Sequence, residues 1–259
     1  MSQRPVADGP SRWLDVELPS VAENLALDEE LLAEAHDGLF AGLVVRTWMA
    51  REPAVVLGSS SHVSQEVDLA ACEAEGVAVV RRPSGGLTVV VGPGCLMWTV
   101  VAMWPGPAPA IDSVHAAVLD PLAAALRIAG RAVVRRGSSD LAIDTSGELR
   151  KVSGNALRVR RQAVLYHGTL LDDFDLGLVS RVLRHPPREP EYRSGRDHGS
   201  FLANLGLGRV PLEAAVRRAF AAVEQRHEWP QDRVSELVRD RYRDIAWTHR
   251  LPEHRRRLR

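Results

Sequence analysis

Of 33 lysine and arginine side chains, 32 are arginine, and the one lysine is Lys151. An ammonium is a compact point charge that fits between two oxygens, whereas a guanidinium is planar, wider and always charged. A site that must hold a small carboxylate or phosphoryl oxygen would keep the smaller head. Chance survival of one lysine during drift towards arginine is the alternative reading, and the neighbouring residues weigh against it. Lys151, Ser153 and Asn155 alternate along a predicted strand, which places them on one face as a charge and two hydrogen-bonding groups. Tyr166-His167-Gly168-Thr169-Leu170 follows on the next strand-like run. Arg81-Arg82-Pro83-Ser84-Gly85-Gly86 reads as a strand running into a glycine turn, with two arginines ahead of it. Glycines let backbone N–H groups approach a ligand, so such a turn can cradle an anion or wrap a slim chain. By themselves these segments read equally as a hairpin turn and a solvent-facing strand edge.

The elements that must position these groups alternate between helical and strand periodicity. A short strand is expected at 12–17, then a helix opened by the capping-box pattern Ser20-Val-Ala-Glu23 and closed near Gly38. Strand-like runs follow at 43–49 and 54–58, a helix from about Val67 to Glu75, and a strand at 77–80. Runs 87–91 and 95–103 flank Gly92-Pro93-Gly94, which predicts a hairpin and an antiparallel pair. A helix over about 112–128 contains Pro121, a candidate kink. Four strand-like runs come next, at 131–135, 140–144, 151–159 and 162–171. Helices are expected after Asp175, at about 211–226 and at about 230–246, with a Pro- and Arg-rich loop at 185–198.

At 259 residues and 45% apolar composition the chain can fill a full core. Its formal net charge is zero, so no global field draws it to nucleic acid or anionic lipid. No stretch approaches the roughly 18 apolar residues that span a membrane, and no apolar leader is evident. A cytoplasmic protein without nucleic-acid or membrane partners is expected. Cys72 and Cys95 are too few and too far apart to suggest a zinc site or disulfide framework.

Four motifs occur in an order that resembles the lipoate–protein ligase A and octanoyltransferase family. They are Arg81-Arg82-Pro83-Ser84-Gly85-Gly86, Ser138-Ser139-Asp140-Leu141, Lys151-Val152-Ser153-Gly154 and His167-Gly168-Thr169-Leu170-Leu171. The likeness starts near Glu23-Asn24-Leu25-Ala26-Leu27-Asp28 and runs to about Asn204-Leu205. It implies an α/β (α+β) fold with a central mixed, largely antiparallel sheet flanked by helices, similar to the biotin/lipoate protein ligase catalytic domain. A catalytic domain is then expected over 12–210, with a helical extension over 211–259 packed on it and ending in a basic tail. The implied chemistry is activation of lipoate or octanoate by ATP and transfer to a lysine of a carrier domain. By match, Lys151 stabilises the reacting oxygens. Arg81, Arg82, Ser84, Gly85 and Gly86 lie along acyl chain and adenylate, and Ser153, Gly154, His167, Gly168 and Thr169 complete the pocket. Asp140 matches a candidate Mg²⁺ ligand. Implied partners are lipoyl domains of 2-oxoacid dehydrogenases or the glycine cleavage H protein, with a separate accessory chain as a further candidate.

The chain also departs from the family pattern. Leu87 stands where a third glycine is common, Val91 where a histidine is common, and Cys95 where an asparagine is common. ATP-independent transferases of this fold form a thioester on a cysteine. The two places where such thiols are carried hold Ser138-Ser139 and His185-Pro186-Pro187 here. Cys95 is the remaining thiol for that alternative, and a binding protein that has lost the reaction is the second alternative. Arg193, Arg196 and His198 are candidates to face a carrier domain or nucleotide phosphates.

Overall fold

The computed structural model describes residues 9–103 and 109–250. In chain order the elements are β1 (Ser11–Leu14), α1 (Val21–His36), β2 (Leu43–Met49), β3 (Ala54–Leu57), α2 (Val63–Glu66), α3 (Leu69–Ala74), β4 (Ala78–Arg81), β5 (Val89–Val91) and β6 (Cys95–Met103). They continue as α4 (Ile111–Ile128), β7 (Val134–Arg136), β8 (Asp140–Thr145), β9 (Glu148–Arg160), β10 (Ala163–Leu171), α5 (Leu176–Val182), α6 (His198–Phe201), α7 (Arg209–Ala219), β11 (Glu224–Arg226), α8 (Gln231–Leu237) and α9 (Ile245–His249).

Eight strands form one sheet in the order β11-β1-β2-β6-β10-β9-β8-β7, parallel only at β11-β1-β2. Strands β4-β3-β5 form a second, small sheet. The fold is therefore mixed α/β with a large, mostly antiparallel sheet flanked by helices. Alternation along β6 and β10 splits the interior into two layers. Met97, Val101, Ala163 and Leu165 join α1, the small sheet and α8 on one side, while Trp98, Val100, Val164 and Tyr166 join α4 and α7 on the other.

Local signals explain several elements. Ser20 Oγ accepts from Glu23 N–H (3.2 Å) and Glu23 Oε2 accepts from Ser20 N–H (2.8 Å), so the capping box opens α1 as read. Ser146 and Gly147 both adopt positive φ between β8 and β9, which is what a two-residue hairpin turn demands.

Other expectations are corrected. Gly92-Pro93-Gly94 is not a hairpin: β5 pairs with β3 in the small sheet, and β6 pairs with β2 and β10 in the large one. The turn moves the chain between sheets and packs against the 173–174 loop, where a Cβ on Gly94 would lie 2.1 Å from the Asp173 carbonyl oxygen. The first strand stops at Leu14, and beyond it the Val16 carbonyl accepts from Arg46 Nη2 (2.9 Å) instead of from a neighbouring strand. The helix expected over 67–75 is the shorter α3, Leu69–Ala74, capped by Asp68, and a separate turn of helix, α2, precedes it at Val63–Glu66. The helix expected to 226 ends at Ala219, because Ala221 turns left-handed and Glu224–Arg226 adds to the free edge of β1. The region from 211 thus carries a strand as well as helices. Helix α4 runs through Pro121. The basic run 255–259 lies outside the described residues.

Gly94→Ala should destabilise the protein by more than the about 1–3 kcal/mol of its left-handed conformation alone, because the added carbon also meets backbone. Urea denaturation measures this, and a loss below 1 kcal/mol would contradict the account of the sheet switch.

Candidate functional site

A cavity of about 730 Å³ lies among the glycine turn, β8–β10 and the start of α4, with Leu25 of α1 on its wall. Its apolar wall includes Leu25, Val56, Leu87, Val89, Met97 and Ala156. Its polar end holds Asp140, Lys151, Thr169 and the loop Arg188–Glu191. A slim aliphatic chain matches the first wall and an anionic head the second.

A β-bulge sets the orientation of Lys151. Leu141 pairs with Ser153 and Ala142 with Lys151, so Val152 is the extra residue on β9. The bulge breaks strict alternation. Lys151 therefore shares the cavity face with Gly154, whose missing Cβ position lies 3.0 and 3.1 Å from Lys151 Cε and Nζ. Ser153 faces the opposite layer, fully buried, and its hydroxyl donates to Asn155 Oδ1 (3.1 Å). The expectation that Lys151, Ser153 and Asn155 share one face is thereby corrected, and Ser153 leaves the list of cavity side chains. Lys151 Nζ lies 2.8 Å from Asp140 Oδ1, and the Tyr192 hydroxyl donates to Asp140 Oδ2 (2.9 Å). Burial, with Asp140 beside it, pushes the Tyr192 hydroxyl well above its usual pKa, so it stays a donor.

The glycine turn is built differently from the expectation. Neither arginine offers its charge to an anion. Arg81 is fully buried with Nη1 donating to the carbonyls of Gly58 (2.7 Å) and Ser61 (2.9 Å) and Nε to that of Thr248 (2.9 Å). It ties the turn to α9, away from the cavity. Arg82 donates to the carbonyls of Gly85 (2.6 Å), Leu87 (2.9 Å) and Val56 (3.0 Å), so it reaches the cavity edge as a staple. Burial lowers its pKa to about 10, against the pull of Glu66, which leaves it charged at neutral pH. Glu66 accepts from the Thr88 amide (2.9 Å) and hydroxyl (2.7 Å), holding the far side of the turn. The sequence reading missed Glu66, because nothing local ties position 66 to position 88.

Beneath the turn runs a buried polar chain. Ser84 Oγ lies 2.6 Å from His167 Nε2, and His167 Nδ1 lies 3.1 Å from Asp28 Oδ2. Thr99 Oγ1 donates to that oxygen (2.9 Å), and Arg46 Nη1 to Asp28 Oδ1 (2.7 Å). Burial pushes the Asp28 carboxyl up, but Arg46 and the His167 hydrogen bond outweigh it and hold the group below its usual range. The sequence of groups matches a hydrolase triad, yet Ser84 is fully buried and already accepts from Arg82 Nε (3.0 Å). Gly85, Gly86, Gly154, His167, Gly168 and Thr169 border the cavity.

Arg193, Arg196 and His198 make contacts within the chain. Arg193 stacks on Phe201, Arg196 donates to the carbonyls of Leu149 (2.9 Å) and Tyr192 (2.7 Å), and His198 pairs with the Arg184 carbonyl (3.2 Å). Cys95 is fully buried in the core and Cys72 nearly so, and neither borders the cavity. Val91 is also core, so the family's histidine position does not face the cavity here. No cluster of three metal-ligating residues occurs among the described residues, and Asp140 is a carboxylate with both oxygens engaged. No helix among them is long and apolar enough to cross a membrane.

Residues 20–219 match the model of the lipoyl protein ligase A/B catalytic domain, and the chain belongs to that family. It is 31% identical to octanoyltransferase LipM of Symbiobacterium thermophilum over 82% of this chain and 84% of that protein. Among solved structures, the bipartite lipoate protein ligase of Thermoplasma acidophilum, studied with its E2 lipoyl domain, superposes with a TM-score of 0.79 at 24% identity, covering 93% of this chain and 96% of that one. A lipoate-protein ligase A bound with ATP superposes with a TM-score of 0.77 at 22% identity, covering 93% and 99%. These likenesses show the shared fold.

Burial pushes the Cys95 thiol up to about 12, so it should resist iodoacetamide in the native protein at about pH 8, where an unfolded thiol reacts. Mass spectrometry after timed labelling checks this, and rapid native alkylation at Cys95 would restore it as a nucleophile.

Proposed function

We propose that this chain is an ATP-dependent lipoate–protein ligase, forming an acyl-adenylate from lipoate or octanoate and passing the acyl group to a lysine of a lipoyl carrier domain. The observation that carries the reading is a cavity whose apolar wall meets the chain's one ammonium, with no sulfur nucleophile on its lining. In the first half-reaction a carboxylate oxygen attacks the α-phosphorus and pyrophosphate leaves. Lys151 stabilises the negative charge that develops on the reacting oxygens, and Asp140 holds the ammonium in place. In the second, the carrier's amine attacks the acyl carbonyl, the bond to phosphate breaks, and AMP departs. The Gly85–Gly86 backbone and the apolar wall orient the acyl chain and exclude water. Magnesium would neutralise triphosphate charge; it suits this site only as an ion held chiefly by phosphate and water, since Asp140, the carboxylate beside Lys151, already pairs with Lys151 and Tyr192. The carrier is a lipoyl domain of a 2-oxoacid dehydrogenase or a glycine cleavage H protein, and a separate accessory chain can complete the system.

The likeness to an octanoyltransferase favours a second reading, thioester transfer through Cys95. Its weakness is a thiol buried among core side chains with its pKa raised to about 12. The third reading, binding without reaction, leaned on the departures at Leu87 and Val91. Only Leu87 borders the cavity, so the altered histidine position removes nothing from it.

Pyrophosphate release with ATP, Mg²⁺ and lipoate or octanoate, followed by mass spectrometry of an added lipoyl domain, tests the proposal. Release with an acylated carrier supports the ligase. Release without carrier modification points to a missing accessory chain. No release, but octanoyl transfer from an acyl carrier protein, selects the transferase, and neither activity selects a binding protein.

Lys151→Arg should leave the fold intact and lower acylation by at least about 100-fold, since the charge survives but the wider head no longer fits over Gly154 beside Asp140. Single-turnover acylation measures it, and wild-type rates in the variant would remove Lys151 from the chemistry.

A further inference from the structure

The chain of groups below the glycine turn has a direction, and that direction is set at one end. Asp28 presents Oδ1 to Arg46 Nη1 at 2.7 Å and Oδ2 to Thr99 Oγ1 at 2.9 Å and His167 Nδ1 at 3.1 Å. An ionised carboxylate has only acceptors, so the hydrogen between Asp28 and the imidazole belongs to Nδ1. In a neutral imidazole Nε2 is then an acceptor. Ser84 Oγ, 2.6 Å away, is the group that can donate to it, because that oxygen already accepts from Arg82 Nε at 3.0 Å. Arg82 in turn grips the carbonyls of Gly85 and Leu87, both on the cavity wall. Every hydrogen from Arg82 to Asp28 thus points the same way.

We propose that Asp28 is the positioning residue of this site: it fixes His167 as the Nδ1–H tautomer, so that Nε2 accepts the Ser84 hydroxyl and pins the glycine turn to β10. Asp28 touches no cavity surface and acts wholly through His167. The residues involved sit on five separate elements or loops: Asp28 on α1, Arg46 on β2, Thr99 on β6, His167 on β10 and Ser84 on the turn. Each of Asp28, Arg46, Thr99, His167 and Ser84 is at least nine-tenths buried, so water cannot substitute for a lost partner. The turn is tied to the large sheet through Ser84 on His167. Beyond Ser84, its described backbone link to β9 is the long Gly85 N–H to Leu157 carbonyl contact of 3.4 Å.

Asp28→Asn separates a positioning role from simple bulk. Arg46 requires an oxygen on its side, which turns the new amide NH₂ towards Nδ1 and forces that nitrogen to accept. The imidazole proton moves to Nε2, and the Ser84 hydrogen loses its acceptor. Long-range ¹⁵N–¹H correlation spectra of the histidine-labelled protein should show His167 as the Nδ1–H tautomer in the wild type and Nε2–H in Asp28→Asn. Lipoate binding, measured by calorimetry, should weaken at least about tenfold in the variant. Because Asp28→Asn also deprives Arg46 of its countercharge and can fail to fold, Ser84→Ala supplies the second arm. It leaves the Asp28–Arg46 pair intact, so His167 should stay Nδ1–H while lipoate affinity falls by a similar factor. A wild-type His167 that is Nε2–H or doubly protonated overturns the proposal, and so does unchanged lipoate affinity in Ser84→Ala.

The affinity readout rests on the acyl-activating reading, whereas the tautomer does not. Wild-type protein that binds no lipoate therefore counts against that reading, and the spectrum still decides the role of Asp28.

Discussion

A guanidinium carried into the interior must find an acceptor for nearly every N–H, because an unpaired buried charge costs several kcal/mol. Four arginines are buried among the described residues, Arg46, Arg81, Arg82 and Arg193, and the architecture around the cavity follows from satisfying the first three. Arg46 draws together the Val16 carbonyl, Asn24 and Asp28, and so fixes how α1 lies across the large sheet. Arg82 collects carbonyls from β3 and from the turn, which holds the small sheet and the turn in one relation. Arg81 reaches into α9, and Trp247 Nε1 returns a hydrogen bond to the Arg81 carbonyl (3.2 Å). The positive charges that would look, in sequence, like an anion cradle are consumed by backbone.

This leaves Lys151 with a different standing from the arginines. Its side chain is partly exposed, its partner Asp140 is mostly buried, and the pair sits where the apolar wall ends. An ammonium loses less by releasing one carboxylate oxygen than a forked guanidinium would, so an incoming anion can share it. The bulge at Val152 is the local device that makes this possible. Without it, strict alternation from Gly154 would turn Lys151 to the α4 layer beside Leu141 and Tyr166, and Val152 to the cavity.

Much of the fold was legible because its signals are local. The capping box at Ser20, the two-residue turn at Ser146-Gly147 and the apolar runs of β2, β6 and β10 each declare themselves within a few residues. Strand pairing is not local. Gly92-Pro93-Gly94 looks like a hairpin in sequence, and the pull of β3 on one flank and β2 on the other makes it a crossing between sheets. The short strand β11 carries no periodic signal of its own and exists because the edge of β1 was open.

By itself the sequence determined which residues are site candidates and in what order they come: one lysine, a serine–glycine turn, an aspartate after two serines and a histidine–glycine strand. Those choices are chemical, and residue type carries them. Tertiary structure alone decided their direction. Burial turned Arg81 and Ser153 away from the cavity, spent Arg82 on backbone carbonyls at its edge, placed Cys95 and Val91 in the core, and recruited Asp28, Arg46, Glu66 and Tyr192 from distant positions. A side chain's heading depends on strand register and on which buried donors need acceptors, and both are settled only when segments far apart in the chain meet.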